Sequence, residues 1–278
     1  MKMAEKLISG LGGQVQFSKL DKSKMYDVIL YDSIKPNHHV LRNCKYITKK
    51  LIAFDYFEYS SNIVDIIINL FDQSNQEKHI FKGKIYEGIK YFILKDEIVL
   101  SRKPKKAFHH TKPNVLITFG GEDPSSNTLK TLESINFNQV NVRVILGLMN
   151  KDREKILELY SKQAEILDPT PKIGEFMSHS DIIICGGGTT LLEAIYIGNP
   201  VIAIPQHTLE EKFINFIKER INLFELSEFD SLVNSCLDIN FRANIFNSYS
   251  DFVDGKGTER ITDIILSRSI PVMKKFEV

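Results

Sequence analysis

An apolar strand that runs directly into a glycine-rich turn is the feature that most constrains the fold of this sequence. Residues 181–185 are Asp-Ile-Ile-Ile-Cys, and three glycines, two threonines and an apolar helical segment follow them. Gly198 would end that helix before Asn199 and Pro200 lead into a second apolar run at 201–204. Strand, turn, helix and strand in this order predict a βαβ unit with parallel strands.

The same alternation extends along the chain. Apolar runs at 14–17, 27–32, 51–55 and 64–69 predict strands in the first half, and runs at 115–119, 142–146 and 164–167 predict strands in the second. Such continuous apolar strands are typical of parallel sheets covered by helices on both faces. A chain of 278 residues usually divides into two domains. We therefore predict an α/β protein with two Rossmann-like domains and a helical tail at 228–269.

Residues 101–113 contain two prolines, five lysine or arginine residues and two histidines, and little in them favours burial. We interpret this segment as a solvated linker, although its charges could also contact phosphate. The predicted domains are residues 1–108 and 109–278.

Charge and cysteine content exclude several functions. Thirty-six basic and thirty-five acidic residues leave a net charge of +1, which does not indicate binding to nucleic acid or to an anionic membrane. The cysteines, Cys44, Cys185 and Cys236, form no zinc-binding pair and no disulfide framework, which fits the cytoplasm. No apolar run is long enough to span a membrane. We predict no cofactor and no metal.

The loop after the strand at 115–119 is the first candidate binding segment. Gly120 and Gly121 would let a ligand approach the backbone, and Asn127 is a further candidate for binding the nucleotide or its phosphates. Unpaired N–H groups of that helix could bind a diphosphate. Alternatively, this is an ordinary turn in which Asp123 or Ser125 caps a helix that Pro124 starts.

The loop after residue 185 is the stronger candidate. Gly187, Gly188, Thr189 and Thr190 combine bare backbone, hydroxyl groups and a helix N-terminus at the carboxyl end of a strand, where open α/β sheets bind ligands. Glu193 would accept hydrogen bonds from ribose hydroxyls. It also matches a capping box with Thr190, and both interpretations stay open.

Two further segments would lie at the same sheet edge. The backbone of Ile173 could pair with a base, and Gln206, His207 and Thr208 could face a sugar or a phosphate. Taken singly, such polar residues are more often found in loops or helix caps.

Residues 119–128, the glycine–threonine–glutamate loop and residues 197–207 together resemble the C-terminal domain of GT-B-type nucleotide-sugar enzymes. They are most similar to the UDP-sugar hydrolase of pseudaminic acid biosynthesis and to spore-coat polysaccharide proteins. The peptidoglycan N-acetylglucosaminyltransferase is a more distant likeness. The resemblance implies UDP-sugar binding, with hydrolysis or glycosyl transfer in surface polysaccharide biosynthesis.

The resemblance continues through residues 26–32, 51–55 and 86–94 but fails at the N-terminus. The family begins with a strand and a Gly-x-Gly-His loop that carries a catalytic histidine, and neither is found at the start of this sequence. Asp32 is then the only matched polar candidate for catalysis in the first half. His38 and His39 look like an exposed helix start.

We therefore expect an incomplete N-terminal domain. Either Met1 is an internal methionine of a longer protein, or a partner supplies the missing segment. A catalytically silent nucleotide-sugar-binding subunit remains the alternative to an enzyme.

Overall fold

The computed structural model describes residues 21–33, 35–71, 78–103 and 112–267. The chain forms two compact units, residues 1–86 and 87–278. Each unit contains its own sheet flanked by helices. The predicted α/β class with two Rossmann-like sheets is confirmed.

Among the residues that the structure describes, the first unit has four strands in the order β1-β2-β3-β4. Strands β1 and β2 pair in parallel, as do β2 and β3. Leu41, Leu51, Ala53, Tyr56 and Ile67 belong to its core. The elements are β1 (Tyr26–Asp32), α1 (His38–Tyr46), β2 (Thr48–Phe54), β3 (Ile66–Asn69) and β4 (Lys84–Glu87).

Within residues 87–103 and 112–267, the second unit has five parallel strands in the order β7-β6-β5-β8-β9. The described helices of this unit are α2 (Asp96–Ser101), α3 (Asn127–Ser134), α4 (Arg153–Tyr160), α5 (Ile173–Ser178), α6 (Thr189–Ile197), α7 (Thr208–Lys218), α8 (Phe229–Ser235), α9 (Ile239–Phe252) and α10 (Gly257–Leu266). The strands are β5 (Asn114–Thr118), β6 (Asn141–Ile145), β7 (Ala164–Leu167), β8 (Ile182–Cys185) and β9 (Val201–Ala203).

The strand order places the candidate site. From β5 the chain proceeds outward through β6 to β7, and it then crosses to the other side of β5 to form β8 and β9. The loops after β5 and β8 therefore leave the sheet in opposite directions. Such a switch point opens a crevice at the carboxyl ends of the strands, which is where open α/β sheets bind ligands.

The predicted strands at 27–32, 51–55 and 64–69 and all those of the second half match observed strands, with ends that differ by a few residues. The run at 14–17 lies outside the described residues, as do most of the predicted linker and the position of the boundary at 108/109. That boundary stays a prediction.

The helical tail is confirmed as α8, α9 and α10. Pro124 does not start a helix, since α3 begins at Asn127. Within the described ranges, no helix has the length and apolar character that crossing a membrane requires.

Candidate functional site

A cleft of about 470 Å³ lies at the switch point of the second unit. The loops that follow β5, β8 and β9 form most of its wall, and Met149 from the loop after β6 adds an apolar side chain. Its lining residues are Phe119, Gly120, Gly121, Glu122, Asp123, Pro124, Met149, Gly186, Gly188, Thr189, Thr190, Gln206, His207 and Glu210.

The loop after β5 is held by Asp123, whose side chain is almost fully buried. Its Oδ1 accepts the N–H of Asn127 at 2.8 Å, and its Oδ2 accepts the N–H of Thr128 at 2.8 Å. Asp123 thus satisfies two N–H groups at the start of α3, as the capping interpretation predicted. The expectation that this helix start directs unpaired N–H groups at an anion is wrong for these two groups.

The loop after β8 presents a different helix start to the cleft. Gly188 is the N-cap of α6 and provides no side-chain cap. Among the residues that the structure describes, no acceptor bonds to the N–H groups of Thr189 and Thr190. These groups and the positive end of the helix dipole form an anion-binding surface at the cleft wall. Thr190 lies inside the helix, so the capping box proposed for Thr190 and Glu193 is wrong.

The loop after β9 is fastened to the other loops through Gln206. Its Nε2 donates to the carbonyl oxygen of Phe119 at 2.9 Å, and its own carbonyl accepts from Ser125 Oγ at 3.0 Å. Asn127 adds a third connection by donating from Nδ2 to the carbonyl of Pro205 at 3.2 Å. These hydrogen bonds fix the width of the cleft between β5 and β9.

Glu210 on α7 was missed by the sequence analysis. Its Oε2 accepts the N–H of Gly187 at 3.0 Å and the N–H of Gln206 at 2.8 Å, so one carboxylate oxygen joins the loops after β8 and β9. The N-cap His207 accepts the N–H of Glu210 on its Nδ1 at 3.3 Å. The spacing of three residues between His207 and Glu210 indicates a helix start in the sequence. It does not identify the groups in other loops that the Glu210 carboxylate contacts.

Glu193 is buried in α6 and is not among the residues that line the cleft. Its Oε1 lies 3.0 Å from Nζ of Lys95, the residue that precedes α2. The lysine side chain is 68% exposed, whereas that of the glutamate is 5% exposed. The carboxylate is therefore covered on one side by a solvated ammonium group.

Most of the predicted binding residues converge on the cleft. Gly120, Gly121, Gly188, Thr189, Thr190, Gln206 and His207 line it. Thr208 is exposed at the start of α7. Ile173 begins α5 after β7, while Asn127, Gly187 and Glu193 are buried close to the loops. Their roles in binding stay predictions.

The candidates of the first unit lie at the end of β1 and beyond it. Asp32 is exposed and is the last residue of β1. His38 and His39 start α1, as predicted, and Nε2 of His38 lies 2.6 Å from Oε2 of Glu58.

Carboxylates dominate the charge of the cleft. Glu122, Asp123 and Glu210 line it, and no lysine or arginine does so among its described lining residues. Cys185, at the end of β8, is fully buried. Burial, together with the negative charges of Glu210 and Glu193, raises the pKa of its thiol well above the ordinary range. Cys185 is therefore an inert core residue rather than a nucleophile.

Residues 99–215 match the sequence profile of the glycosyltransferase family 28 C-terminal domain. The spore coat polysaccharide biosynthesis protein SpsG of Bacillus subtilis is 24% identical over 270 residues, which cover 88% of this chain and 77% of that protein. An uncharacterized protein of Methanocaldococcus jannaschii is 32% identical over 219 residues. That match covers 69% of this chain and 43% of the relative, so the chain spans less than half of that relative's length.

Solved structures with similar folds include glycosyltransferases and UDP-N-acetylglucosamine 2-epimerases. The structure of MnaA from S. aureus with UDP has a TM-score of 0.55 at 14% identity, over 95% of this chain and 78% of that chain. At this identity the similarity shows the fold, and it confirms the predicted GT-B type. The predicted resemblance to spore-coat polysaccharide proteins is also confirmed, whereas the resemblance to the hydrolase stays a prediction.

Proposed function

We propose that this chain binds a nucleotide-sugar, with UDP as the nucleotide, and processes it in the biosynthesis of a surface polysaccharide or another glycan. The observation that carries the proposal is the cleft at the switch point, where the unpaired N–H groups of Thr189 and Thr190 face space enclosed by two further loops. The matched glycosyltransferase profile and the similarity to SpsG support the same chemistry.

In this proposal the diphosphate binds at Gly188, Thr189 and Thr190, because backbone N–H groups and hydroxyls at a helix start bind anions without a metal. Gly120 and Gly121 leave room for the ligand opposite, since a Cβ on Gly121 would meet only Met149 Cε, at 3.7 Å.

The other predicted residues would bind the remaining groups of the ligand. The backbone of Ile173 would hydrogen-bond to the base, and the carboxylate of Glu193 would accept hydrogen bonds from the ribose hydroxyls. Gln206, His207 and Thr208 would face the sugar.

A nucleotide screen tests the binding step. UDP should raise the melting temperature by mass action, and CDP, GDP and dTDP should raise it less. Gly121→Ala is the cleft-narrowing variant: its Cβ would contact only Met149 Cε, at 3.7 Å, so the apo protein should melt close to the unmodified protein while UDP stabilises it less. Failure of every nucleotide to stabilise the unmodified protein would contradict the proposal.

The reaction class is tested with UDP-sugars in the presence and absence of an acceptor. Free sugar without an acceptor indicates hydrolysis, and acceptor-dependent product indicates transfer. Binding without turnover indicates the silent subunit, which is our second candidate because Asp32 is the only matched polar candidate for catalysis in the first half of the sequence. Asp32 is our proposed catalytic residue in the first unit, so Asp32→Asn should abolish turnover if the chain is an enzyme.

The cytoplasm is the proposed location, in keeping with the three cysteines, which are buried and form no disulfide. The partner expected to supply an N-terminal segment stays a prediction.

A further inference from the structure

The carboxylate of Glu210 is fixed beside the predicted phosphate position. Both backbone N–H groups that Oε2 accepts belong to loops around the cleft, and the side chain is only 11% exposed. The other oxygen, Oε1, would lie 3.5 Å from a Cβ placed on Gly188, the N-cap of α6. Glu210 therefore cannot swing away from the start of α6 without breaking two hydrogen bonds.

Little positive charge lies near Glu210 in the cleft. The nearest cationic candidate among the described lining residues is His207, whose Nε2 lies 3.8 Å from Glu210 Oε1. Lys151 reaches only the rim, where its Nζ donates to the carbonyl of Pro124 at 2.8 Å. The dipole of α6 provides roughly half a positive charge at its start, which is less than the full negative charge of a carboxylate.

We propose that Glu210 makes the cleft selective for a nucleoside diphosphate whose terminal phosphate is esterified, as in a nucleotide-sugar, over the free nucleoside diphosphate. This inference rests on the proposed function. A free terminal phosphate carries up to one more negative charge than an esterified one, because its second pKa is about 6. The N–H groups of α6 can hold the ester, but the additional charge is repelled by Glu210 at close range.

The consequence concerns the order of binding and release. Transfer or hydrolysis of a nucleotide-sugar breaks the bond between the sugar and the terminal phosphate, and the product is the more highly charged free nucleoside diphosphate. Repulsion from Glu210 then weakens binding of the product relative to the substrate. The same carboxylate that fixes the loops for substrate binding would thus favour product release.

Calorimetric titration with UDP and with its β-methyl ester tests the inference, because the two probes differ by one charge and no sugar is needed. EDTA is present so that magnesium cannot neutralise the diphosphate. The unmodified protein should bind the ester roughly three- to tenfold more tightly than UDP, the range expected for the repulsion of one partly screened charge. High salt should reduce that ratio.

Two variants assign the effect to Glu210. In Glu210→Gln, the amide oxygen can still accept both N–H groups while the charge is lost, so the ratio should fall towards one through tighter binding of UDP. Glu211→Gln is the matched control, since Glu211 is the exposed neighbour on α7, and it should keep the original ratio.

The outcomes separate the two proposals. Binding of neither probe to the unmodified protein would contradict the proposed function itself. Binding of both probes with equal affinity, or a preference that Glu210→Gln leaves intact, would overturn the role of Glu210 and leave nucleotide binding standing. A ratio near one on the unmodified protein at low salt would overturn the role of Glu210 even if Glu210→Gln melts early.

Discussion

Gln206 and Phe119 are joined by a hydrogen bond of 2.9 Å between the Nε2 of the glutamine and the carbonyl oxygen of the phenylalanine, although 87 residues separate them in the chain. Ser125 returns a hydrogen bond from its hydroxyl to the carbonyl of Gln206. The two bonds connect the ends of β5 and β9 across β8, which lies between them in the sheet. The width of the cleft thus depends on the side chain of Gln206, which lines the cleft and also connects the loops on its two sides.

Gln206→Leu should weaken nucleotide binding more than it weakens the fold. Loss of the hydrogen bond to Phe119 should lower the free energy of unfolding by about 1 kcal/mol. UDP affinity should fall on the order of tenfold, because the loops no longer hold their spacing and a polar contact is lost. Urea denaturation and calorimetric titration measure the two effects. Gln163→Leu, at an exposed position, should change neither, and an equal loss of affinity in both variants would contradict the prediction.

Two adjacent glycines in the loop after β8, Gly187 and Gly188, should respond differently to substitution by alanine. A Cβ on Gly187 would lie 2.8 Å from Glu210 Cβ and 2.9 Å from Ile214 Cδ1, so Gly187→Ala should destabilise the fold by roughly 1–3 kcal/mol. A Cβ on Gly188 would meet only Glu210 Oε1, at 3.5 Å, and should change stability by less than about 0.5 kcal/mol. Gly188→Ala should nevertheless weaken UDP binding, because the methyl group lies where the phosphate is predicted. Chemical denaturation separates the variants, and equal destabilisation would refute this account of the loop.

Strands β8 and β9 of the second unit could be predicted closely because both are buried on both faces. Residues 182–185 are all buried, and so are residues 201–203. The sequence consequently shows unbroken apolar runs, and the glycines and threonines after them identify the sheet edge that binds ligands. The convergence of Gly188, Thr189 and Gln206 on one cleft follows from the parallel topology alone.

The interactions that determine the details of the cleft could not be predicted, because they join positions far apart in sequence. Glu210 contacts Gly187 from 23 residues away, and Lys95 reaches Glu193 from the segment before α2. The start of α3 was misplaced for a more local reason. Asp123 caps α3 although it lies four residues before the helix begins at Asn127. A capping residue normally lies directly before the first helical residue, so Asp123 and Pro124 in the sequence predict a helix start that is too early.

The ion pair of Asp254 and Arg260 should contribute stability that depends on pH. Hydrogen bonding from Arg260 lowers the pKa of Asp254 to about 2, although partial burial opposes the shift. Because the folded-state pKa is depressed below the ordinary value of about 3.9, the contribution is complete above that value and is lost as pH falls towards 2. The stability difference between the unmodified protein and Asp254→Asn, measured by urea denaturation, should therefore shrink as pH is lowered from about 4.

Arg260→Gln provides the control for this pair. In that background, Asp254→Asn should have a smaller effect at pH 6, and the effect should vary less with pH. A stability difference that grows as the solution is acidified would have the wrong sign and would contradict the assignment.

Glu193 and Lys95 give the final prediction, which separates ribose binding from structural pairing. If Glu193 accepts from ribose hydroxyls, the unmodified protein should prefer UDP to its 2′-deoxy analogue, and Glu193→Gln should lose that preference. A hydrogen bond to a charged group contributes about 1.5–3 kcal/mol, so the preference should be on the order of tenfold or more. Lys95→Gln removes the ammonium group 3.0 Å from the carboxylate and should keep the preference, because the acceptor remains. If both variants instead lower the melting temperature alike and both keep the preference, the carboxylate serves only the ion pair, and the ribose must be bound elsewhere.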